Sequence, residues 1–294
     1  MLKRNKALQS TSQIVFRNSV IVILVGFNII FFVVPVIIAL MGSFHQWNPI
    51  TDLYKFIGLE NYQRMFTSPV FWRSMLNTAV ILVLLSIFSG FCWVRAGMVL
   101  NSTLIWSKSV FRTIFYMPTV APMVAVAYIW KLIYHPQFGV LNQLLGTHIN
   151  WLNDSLWAMP AIILMTVWKD FGYAVVIFIA GISSLPQDCF ESAKIDGASG
   201  SRLFFRIALP LLKPTTLFVV VTSIISYLQT YVQVMVLTNG GPGTSTYISA
   251  FIIYQEAFER HNFGYASAIS FFLLVVTAFF SYLLFRLSGK NTDY

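Results

Sequence analysis

Long runs of apolar residues dominate this sequence, and each is about as long as a bilayer is thick. A helix needs about 20 apolar residues to cross the hydrocarbon core of a membrane. The uncharged or nearly uncharged runs of this length are 20–41, 75–94, 113–130, 215–238 and 263–285. A further run, 156–183, is also long enough but carries Lys169 and Asp170 near its middle. These runs predict an all-α, polytopic membrane helical bundle of about six transmembrane helices.

The composition excludes a soluble protein. Only 10% of the residues are charged and 57% are hydrophobic, whereas average soluble domains carry roughly 25% charged residues. Pro118 and Pro122 interrupt the third run. We expect a kinked helix there, because neighbouring helices can satisfy the backbone groups that a proline frees inside a membrane.

The distribution of charge predicts the orientation in the membrane. The chain has 19 Lys and Arg against 10 Asp and Glu, a net charge of +9. Six spans would place both termini on one side with the connections 95–112 and 184–214, and that side holds 13 cations and four anions. Because Lys and Arg are enriched in cytoplasmic loops, we expect both termini in the cytoplasm. The excess charge thus indicates orientation and not a nucleic-acid partner.

The sequence indicates neither a cleaved signal peptide nor a metal site. Lys3, Arg4 and Lys6 resemble the start of a signal peptide, but the following apolar run is too long and lacks a cleavage site, so we expect the first helix to remain as an anchor. Cys92 and Cys189 are too few for a disulfide scaffold and match no metal-ligand spacing. No metal site is predicted.

Residues 184–214 form the most informative connection between two runs. Pro186 can begin a helix, Gly197 suits a helix C-terminus, and a second short amphipathic stretch precedes Pro210 and Pro214. The pattern predicts a helix, a turn and a second helix on the cytoplasmic membrane surface. From composition alone, this segment would be an interfacial linker.

The residue string inside this connection resembles the signature loop of binding-protein-dependent ABC importer permeases. In that family Glu-Ala-Ala is followed by three residues, Gly, nine residues, Ile, any residue and Leu-Pro. Glu191, Ser192 and Ala193 occupy the first three positions, and Gly197 and Ile207 follow at the required distances. The departure is Ser192 in place of the middle alanine, and we expect this small residue to leave the packing intact.

The resemblance extends over nearly the whole chain. Residues 56–62, 116–118, 238–242 and 263–268 are similar to segments of the sugar-type permeases, of the maltose and glycerol-phosphate kind. The chain is similar to the "F" or "A" member of their permease pair. It implies a single transmembrane permease domain over residues 20–290, between a cytoplasmic tail at 1–19 and a tail at 291–294.

The resemblance implies a transporter subunit and not an enzyme. In that family the loop docks as a coupling helix into a separate ATPase, whose ATP-driven closure switches the permease pair from inward- to outward-facing. The corresponding ATPase-coupling residues here are Glu191, Ser192, Ala193, Asp196 and Gly197. The sequence contains no Walker motif. ATP and Mg would therefore be bound by the partner ATPase, and no cofactor by this chain.

The same resemblance implies the partners and the location. The partners would be a second homologous permease subunit, an ATPase dimer, an extracytoplasmic solute-binding protein, a sugar substrate and membrane lipid. The location would be the bacterial cytoplasmic (inner) membrane. Another solute delivered by a binding protein, such as glycerol phosphate or an anionic saccharide, remains an alternative to a neutral sugar.

Polar side chains in two of the runs are candidates for the substrate path. In the fifth run the polar positions follow one helical face with an amide beside it, and they are Ser223, Ser226, Tyr227, Gln229 and Thr230. In the fourth run the candidates are Trp168, Lys169, Asp170 and Tyr173. Hydroxyl, amide and charged groups can bond a sugar, and aromatic rings can cover its C–H surfaces. In the resembling permeases the substrate also lies between these two helices.

Structural roles for the same residues stay open from the sequence. Ser, Thr and Gln often bond one membrane helix to another. Lys169 and Asp170 can neutralise each other, and Lys169 can instead face an acidic residue of the partner permease or attract an anionic sugar. A membrane-embedded enzyme is a remote alternative, because the four histidines all fall in predicted outside loops. A stand-alone channel would have no need of the loop at 191–210.

Overall fold

A computed structural model describes residues 11–101, 108–198 and 200–289, and most of them are helical. The predicted tail 291–294 lies outside the described residues, as do the first ten residues of the predicted tail 1–19, with Lys3, Arg4 and Lys6. In lipid every backbone group must find its partner within the protein, so the apolar runs form helices.

The first span is one long helical segment. It begins with α1 (Thr11–Asn28), continues through a π-helical turn (Ile29–Val33) and ends with α2 (Val34–Ser43). The π-helical turn lies just before Pro35, which has no N–H to donate to the preceding turn. The predicted run 20–41 falls inside this segment.

A small hairpin follows on the predicted outer side and adds two short strands to the helical fold. β1 (His45–Asn48) pairs with β2 (Leu53–Phe56) in antiparallel register. Asp52 in the turn has a φ of 53°. The next helix is α3 (Glu60–Thr67), and the Asn61 side chain donates to the main-chain oxygens of Ser43 and His45, which fixes α3 against the end of α2.

The middle of the chain contributes the second, third and fourth spans. Its helices are α4 (Pro69–Asn101), α5 (Lys108–Val120), α6 (Met123–Ile133), α7 (Val140–Leu145) and α8 (Ala158–Ser183). The third run was expected to form one kinked helix, but the structure divides it into two helices, α5 and α6, which meet at 106°. The helix breaks because the backbone of Pro122 is extended (φ −56°, ψ 133°) and this proline has no N–H to continue the helix.

The C-terminal half begins with short helices and also contains two longer apolar helices. Its elements are α9 (Gln187–Ile195), α10 (Gly200–Leu203), a π-helical turn (Phe204–Ala208), α11 (Leu209–Leu211), α12 (Lys213–Leu228), α13 (Val232–Leu237), α14 (Ser249–Tyr254), a second π-helical turn (Gln255–Glu259) and α15 (Phe263–Gly289). The predicted fifth run, 215–238, is therefore not one helix. It is divided between α12 and α13 by the non-helical residues after Leu228.

Within the described ranges, four helical segments are long and apolar enough to cross a membrane: Val15–Ser43, Pro69–Ser86, Ala158–Ser183 and Phe263–Leu284. Two bent pairs raise the number to six if each pair counts as one span. The pairs are Thr113–Val120 with Met123–Ile133, and Phe204–Leu211 with Lys213–Leu228. The predicted bundle of about six spans agrees with the larger number, and the cytoplasmic position of both termini stays a prediction.

Helix α8 lies at the centre of the bundle and packs against α4, α5 and α12. Its buried side chains contribute to two apolar clusters, one with Trp130 and Tyr134 and one with Phe204 and Val219. The crossing with α5 is close at Gly172, where a Cβ atom would lie 1.9 Å from the main-chain oxygen of Phe115. This close approach brings the last turn of α5 against the middle of α8.

Candidate solute path and coupling loop

A polar cavity of about 240 Å³ lies where α5, α8 and α12 meet. It is lined by hydroxyl, carboxylate and aromatic side chains from the three helices, namely Thr119, Asp170, Tyr173, Thr222, Ser223, Ser226 and Tyr227. Five of these residues belong to the two predicted polar faces. Polar groups inside a membrane are costly and usually face a cavity or a partner, so the cavity gives a physical reason for their presence.

Side chains of α8 and α12 meet at this cavity. The Tyr227 hydroxyl faces the Asp170 carboxylate, and Ser223 faces Tyr227. Tyr227 and Ser223 are both buried, whereas Asp170 is half-buried and Ser226 is exposed. These side chains therefore bring the predicted polar faces of α8 and α12 together.

Lys169 is buried beside the cavity but does not line it. Its Nζ atom donates to the main-chain oxygen of Thr119 at 3.1 Å. In return the Thr119 hydroxyl donates to the main-chain oxygen of Lys169 at 3.1 Å. This pairing connects the broken third span to α8.

Three other candidates for the path lie elsewhere. Trp168 packs against Trp130, with ring centroids 5.5 Å apart. Gln229 lines a different cavity of about 370 Å³ that also contains Tyr231 and faces α15. The buried Thr230 donates its hydroxyl to the main-chain oxygen of Ser226 at 3.2 Å. The expected continuation of the helical face past Tyr227 fails because α12 ends at Leu228.

Two lining residues were not among the candidates from the sequence. Thr119 lies between two prolines in the third run, in the last turn of α5, which packs against α8. Thr222 precedes Ser223 in α12.

The loop at 184–214 has the predicted helix, turn and helix. Helix α9 ends at Ile195, and Gly197 adopts a left-handed conformation with φ of 76°. The Ala198 N–H then donates to the Ala193 carbonyl at 2.9 Å, and the Asp196 N–H to that of Ser192 at 3.0 Å. A glycine in this conformation after the last helical turn is a common helix C-terminus.

One side of the loop is exposed, and the other side packs against the rest of the protein. Glu191, Ser192, Asp196 and Gly197 are exposed, whereas Ala193 is buried. The following segment anchors the loop, because its residues Phe204 and Leu212 are buried in an apolar cluster with α8 and α12 side chains. The segment that follows α9 therefore packs against two of the three helices that line the cavity.

A buried carboxylate organises the predicted outer side of the bundle. Glu256 accepts a hydrogen bond from Arg260 and lies 3.8 Å from Arg64. The Arg64 guanidinium also lies over the Tyr265 ring, 4.1 Å from its centroid. Only 4% of the Glu256 side chain is exposed, so this cluster ties α3 and the α14–α15 connection together.

A multi-pass helical bundle with a polar cavity between its central helices defines this protein as a membrane transport protein. The chain belongs to the family of binding-protein-dependent transport system inner membrane components, whose family model matches residues 94–291. It is thus a permease subunit of an ABC transporter and not itself an enzyme.

Three known proteins illustrate the relationship. The chain is 32% identical to the probable ABC transporter permease protein YurN of Bacillus subtilis, over 85% of this chain and 88% of YurN. It is 31% identical to the lactose transport system permease protein LacF of Rhizobium radiobacter, over 87% of this chain and 88% of LacF. It also shares the fold of a chain of a bacterial ABC transporter involved in import of the acidic polysaccharide alginate, with a TM-score of 0.80, 23% identity and coverage of 95% and 96%.

Proposed function

We propose that this chain is the permease subunit of an ATP-driven carbohydrate importer and forms half of its translocation pathway. The observation that carries the proposal is the polar cavity at the junction of α5, α8 and α12. Its hydroxyls, carboxylate and the Tyr173 and Tyr227 rings provide the groups that bond a saccharide. The similarity to a lactose permease protein supports a sugar as the solute.

The proposal includes the partners that the resemblance implied. A second permease subunit would complete the pathway, and a solute-binding protein would deliver the sugar from the outer side. A partner ATPase dimer would bind ATP and Mg and dock on the exposed face of α9 through Glu191, Ser192, Asp196 and Gly197. The complex would lie in the bacterial inner membrane, with both termini of this chain in the cytoplasm.

Uptake by the reconstituted complex tests the transport assignment. Proteoliposomes containing this chain, the second permease and the ATPase, with the binding protein added, should accumulate lactose, maltose or trehalose only when ATP is present. Accumulation of none of these sugars, or accumulation without ATP, would contradict the proposal.

A pair of serine variants tests the path. Ser226→Ala removes an exposed hydroxyl at the cavity, and we expect it to raise the KM for uptake severalfold. Ser270→Ala is the matched control, because Ser270 lies on α15 at the other cavity and donates to the Ala266 carbonyl. Equal KM values in the two variants would remove Ser226 from the path.

A pair of glutamate variants tests the coupling loop. Glu191→Ala should lower sugar uptake per ATP hydrolysed while leaving the amount of protein in the membrane unchanged. Glu259→Ala, also an exposed glutamate but on the α14–α15 connection, should leave this ratio unchanged. Normal coupling in Glu191→Ala would contradict the assignment of α9.

A further inference from the structure

The hydroxyl groups at the cavity are not all free to donate. The Thr119 hydroxyl donates its hydrogen to the Lys169 carbonyl. The Thr222 hydroxyl donates to the Phe218 carbonyl at 2.8 Å, with the Val219 carbonyl at 3.1 Å. A hydroxyl has one hydrogen and two lone pairs. These two side chains therefore offer a solute only hydrogen-bond acceptors.

Asp170 also offers only hydrogen-bond acceptors. An ionised carboxylate has no hydrogen to donate. Its side chain lines the cavity and faces the Tyr227 hydroxyl. Asp170 thus offers a solute only lone pairs, as Thr119 and Thr222 do.

The charge at the cavity comes from one residue. Among the seven lining residues within the described ranges, Asp170 alone carries a formal charge. The neighbouring Lys169 interacts electrostatically with Asp170, but its ammonium group is directed to the Thr119 carbonyl and does not line the cavity. A solute in the cavity would therefore contact the carboxylate, which lines it, and not the ammonium group, which does not.

We propose that Asp170 makes this cavity selective for neutral, hydroxyl-rich solutes and against anionic ones, an inference that rests on the proposed carbohydrate function. A neutral saccharide brings many O–H donors, which match the acceptors of Asp170, Thr119 and Thr222. A uronate, sulfonate or phosphate brings an acceptor-only anion, which would leave these acceptors unpaired and place two like charges side by side. Both effects cost free energy. The fold alone does not determine whether the solute is charged, since a chain with a similar fold belongs to a transporter involved in import of the acidic polysaccharide alginate.

Binding to the whole complex without the solute-binding protein tests the selectivity of the permease alone. The complex of this chain, the second permease and the ATPase would be placed in nanodiscs and held with ATP and vanadate. The probes are lactose, maltose and trehalose and, for each, the uronate made by oxidising one primary alcohol. The measured quantity is the ratio of the uronate Kd to the neutral-sugar Kd.

We expect wild-type protein to bind the neutral member of a pair more tightly, and Asp170→Asn to lower the ratio about tenfold, which corresponds to about 1.4 kcal/mol. The matched control is Asp154→Asn, which removes the same charge from a residue in the 146–157 segment outside the cavity. An unchanged ratio in Asp170→Asn, or an equal change in Asp154→Asn, would overturn the inference.

A further variant guards against a folding defect in Asp170→Asn. Ser226→Asp places a second carboxylate at the cavity and should raise the ratio. An unchanged or lower ratio in this variant would overturn the inference. Failure of the wild-type complex to bind or import any of these sugars would overturn the carbohydrate function as well, whereas a ratio unaffected by Asp170 would overturn only its role in selectivity.

Discussion

Lys169 and Thr119 bond each other's main chain across the contact between α8 and α5. Each side chain donates to the main-chain oxygen of the other residue, and both distances are 3.1 Å. Thr119 lies in the last turn of α5, where carbonyl groups have no partner inside the helix. The Lys169 ammonium supplies that partner, which explains why a lysine is buried in the middle of an apolar helix.

Lys169→Met should therefore lower the free energy of unfolding by about 1–3 kcal/mol, because the part-buried Thr119 carbonyl loses its donor. Unfolding of the purified chain in mixed micelles by increasing fractions of SDS would measure the change. Lys131→Met is the control, since Lys131 is exposed and its ammonium lies 3.4 Å from the Val236 carbonyl; a change within about 0.5 kcal/mol is expected there. Equal effects in the two variants would contradict a structural role for Lys169.

The crossing of α5 and α8 leads to a second prediction. In Gly172→Ala the new Cβ atom would lie 1.9 Å from the Phe115 carbonyl oxygen, so the helices must move apart. Overpacking of this kind costs about 1–3 kcal/mol, and the thermal midpoint of the purified protein should fall. Gly26→Ala in α1 meets no atom within 4 Å and should be neutral or stabilising because alanine favours a helix. A similar loss in both variants would place the cause in the membrane environment and not in this crossing.

The helical spans could largely be predicted from the lengths of the apolar runs. The runs at 20–41, 156–183 and 263–285 correspond to continuous helical segments, and the π-helical turn before Pro35 does not break the first of them. The breaks were harder to predict. Pro122 marks the first break, but the angle of 106° depends on how α5 packs against α8 and α6 against α13. The break after Leu228 has no proline or glycine at the site, so only tertiary packing distinguishes it from a continuous helix.

The residues of the candidate site could also be predicted only in part. Ser223, Ser226 and Tyr227 were predicted together because helical spacing holds up to Leu228, and they do line one cavity. Gln229 lines a different cavity, because α12 ends at Leu228 and the helical spacing does not extend to this residue. Thr119 was missed because a pattern within one helix gives no information about which residue of another helix will face it.

The outer ion cluster gives a third prediction. In Glu256→Gln the side chain loses the charge that pairs with Arg260 and Arg64, while its volume is retained. Since the two arginines are more than half exposed, water can solvate them, and we expect a loss of about 1–2 kcal/mol in the free energy of unfolding. Limited proteolysis of the α14–α15 connection should become faster. Glu259→Gln, three residues away and exposed, should leave the rate unchanged, and an unchanged rate in Glu256→Gln would contradict the structural role of the cluster.

The turn after α9 gives the last prediction. The space around Gly197 is open, since a Cβ atom there would meet nothing within 4 Å, but its φ of 76° is unfavourable for other residues. Alanine in this conformation costs about 1–2 kcal/mol, so Gly197→Ala should shift the turn and lower the sugar transported per ATP hydrolysed in the reconstituted complex. Asparagine tolerates the conformation better, and Gly197→Asn should retain more coupling than Gly197→Ala. The control is Gly200→Ala, which also has open space but has no positive φ and should couple normally. Coupling that is equal in all three variants would show that the conformation of Gly197 has no part in transmitting movement from the ATPase.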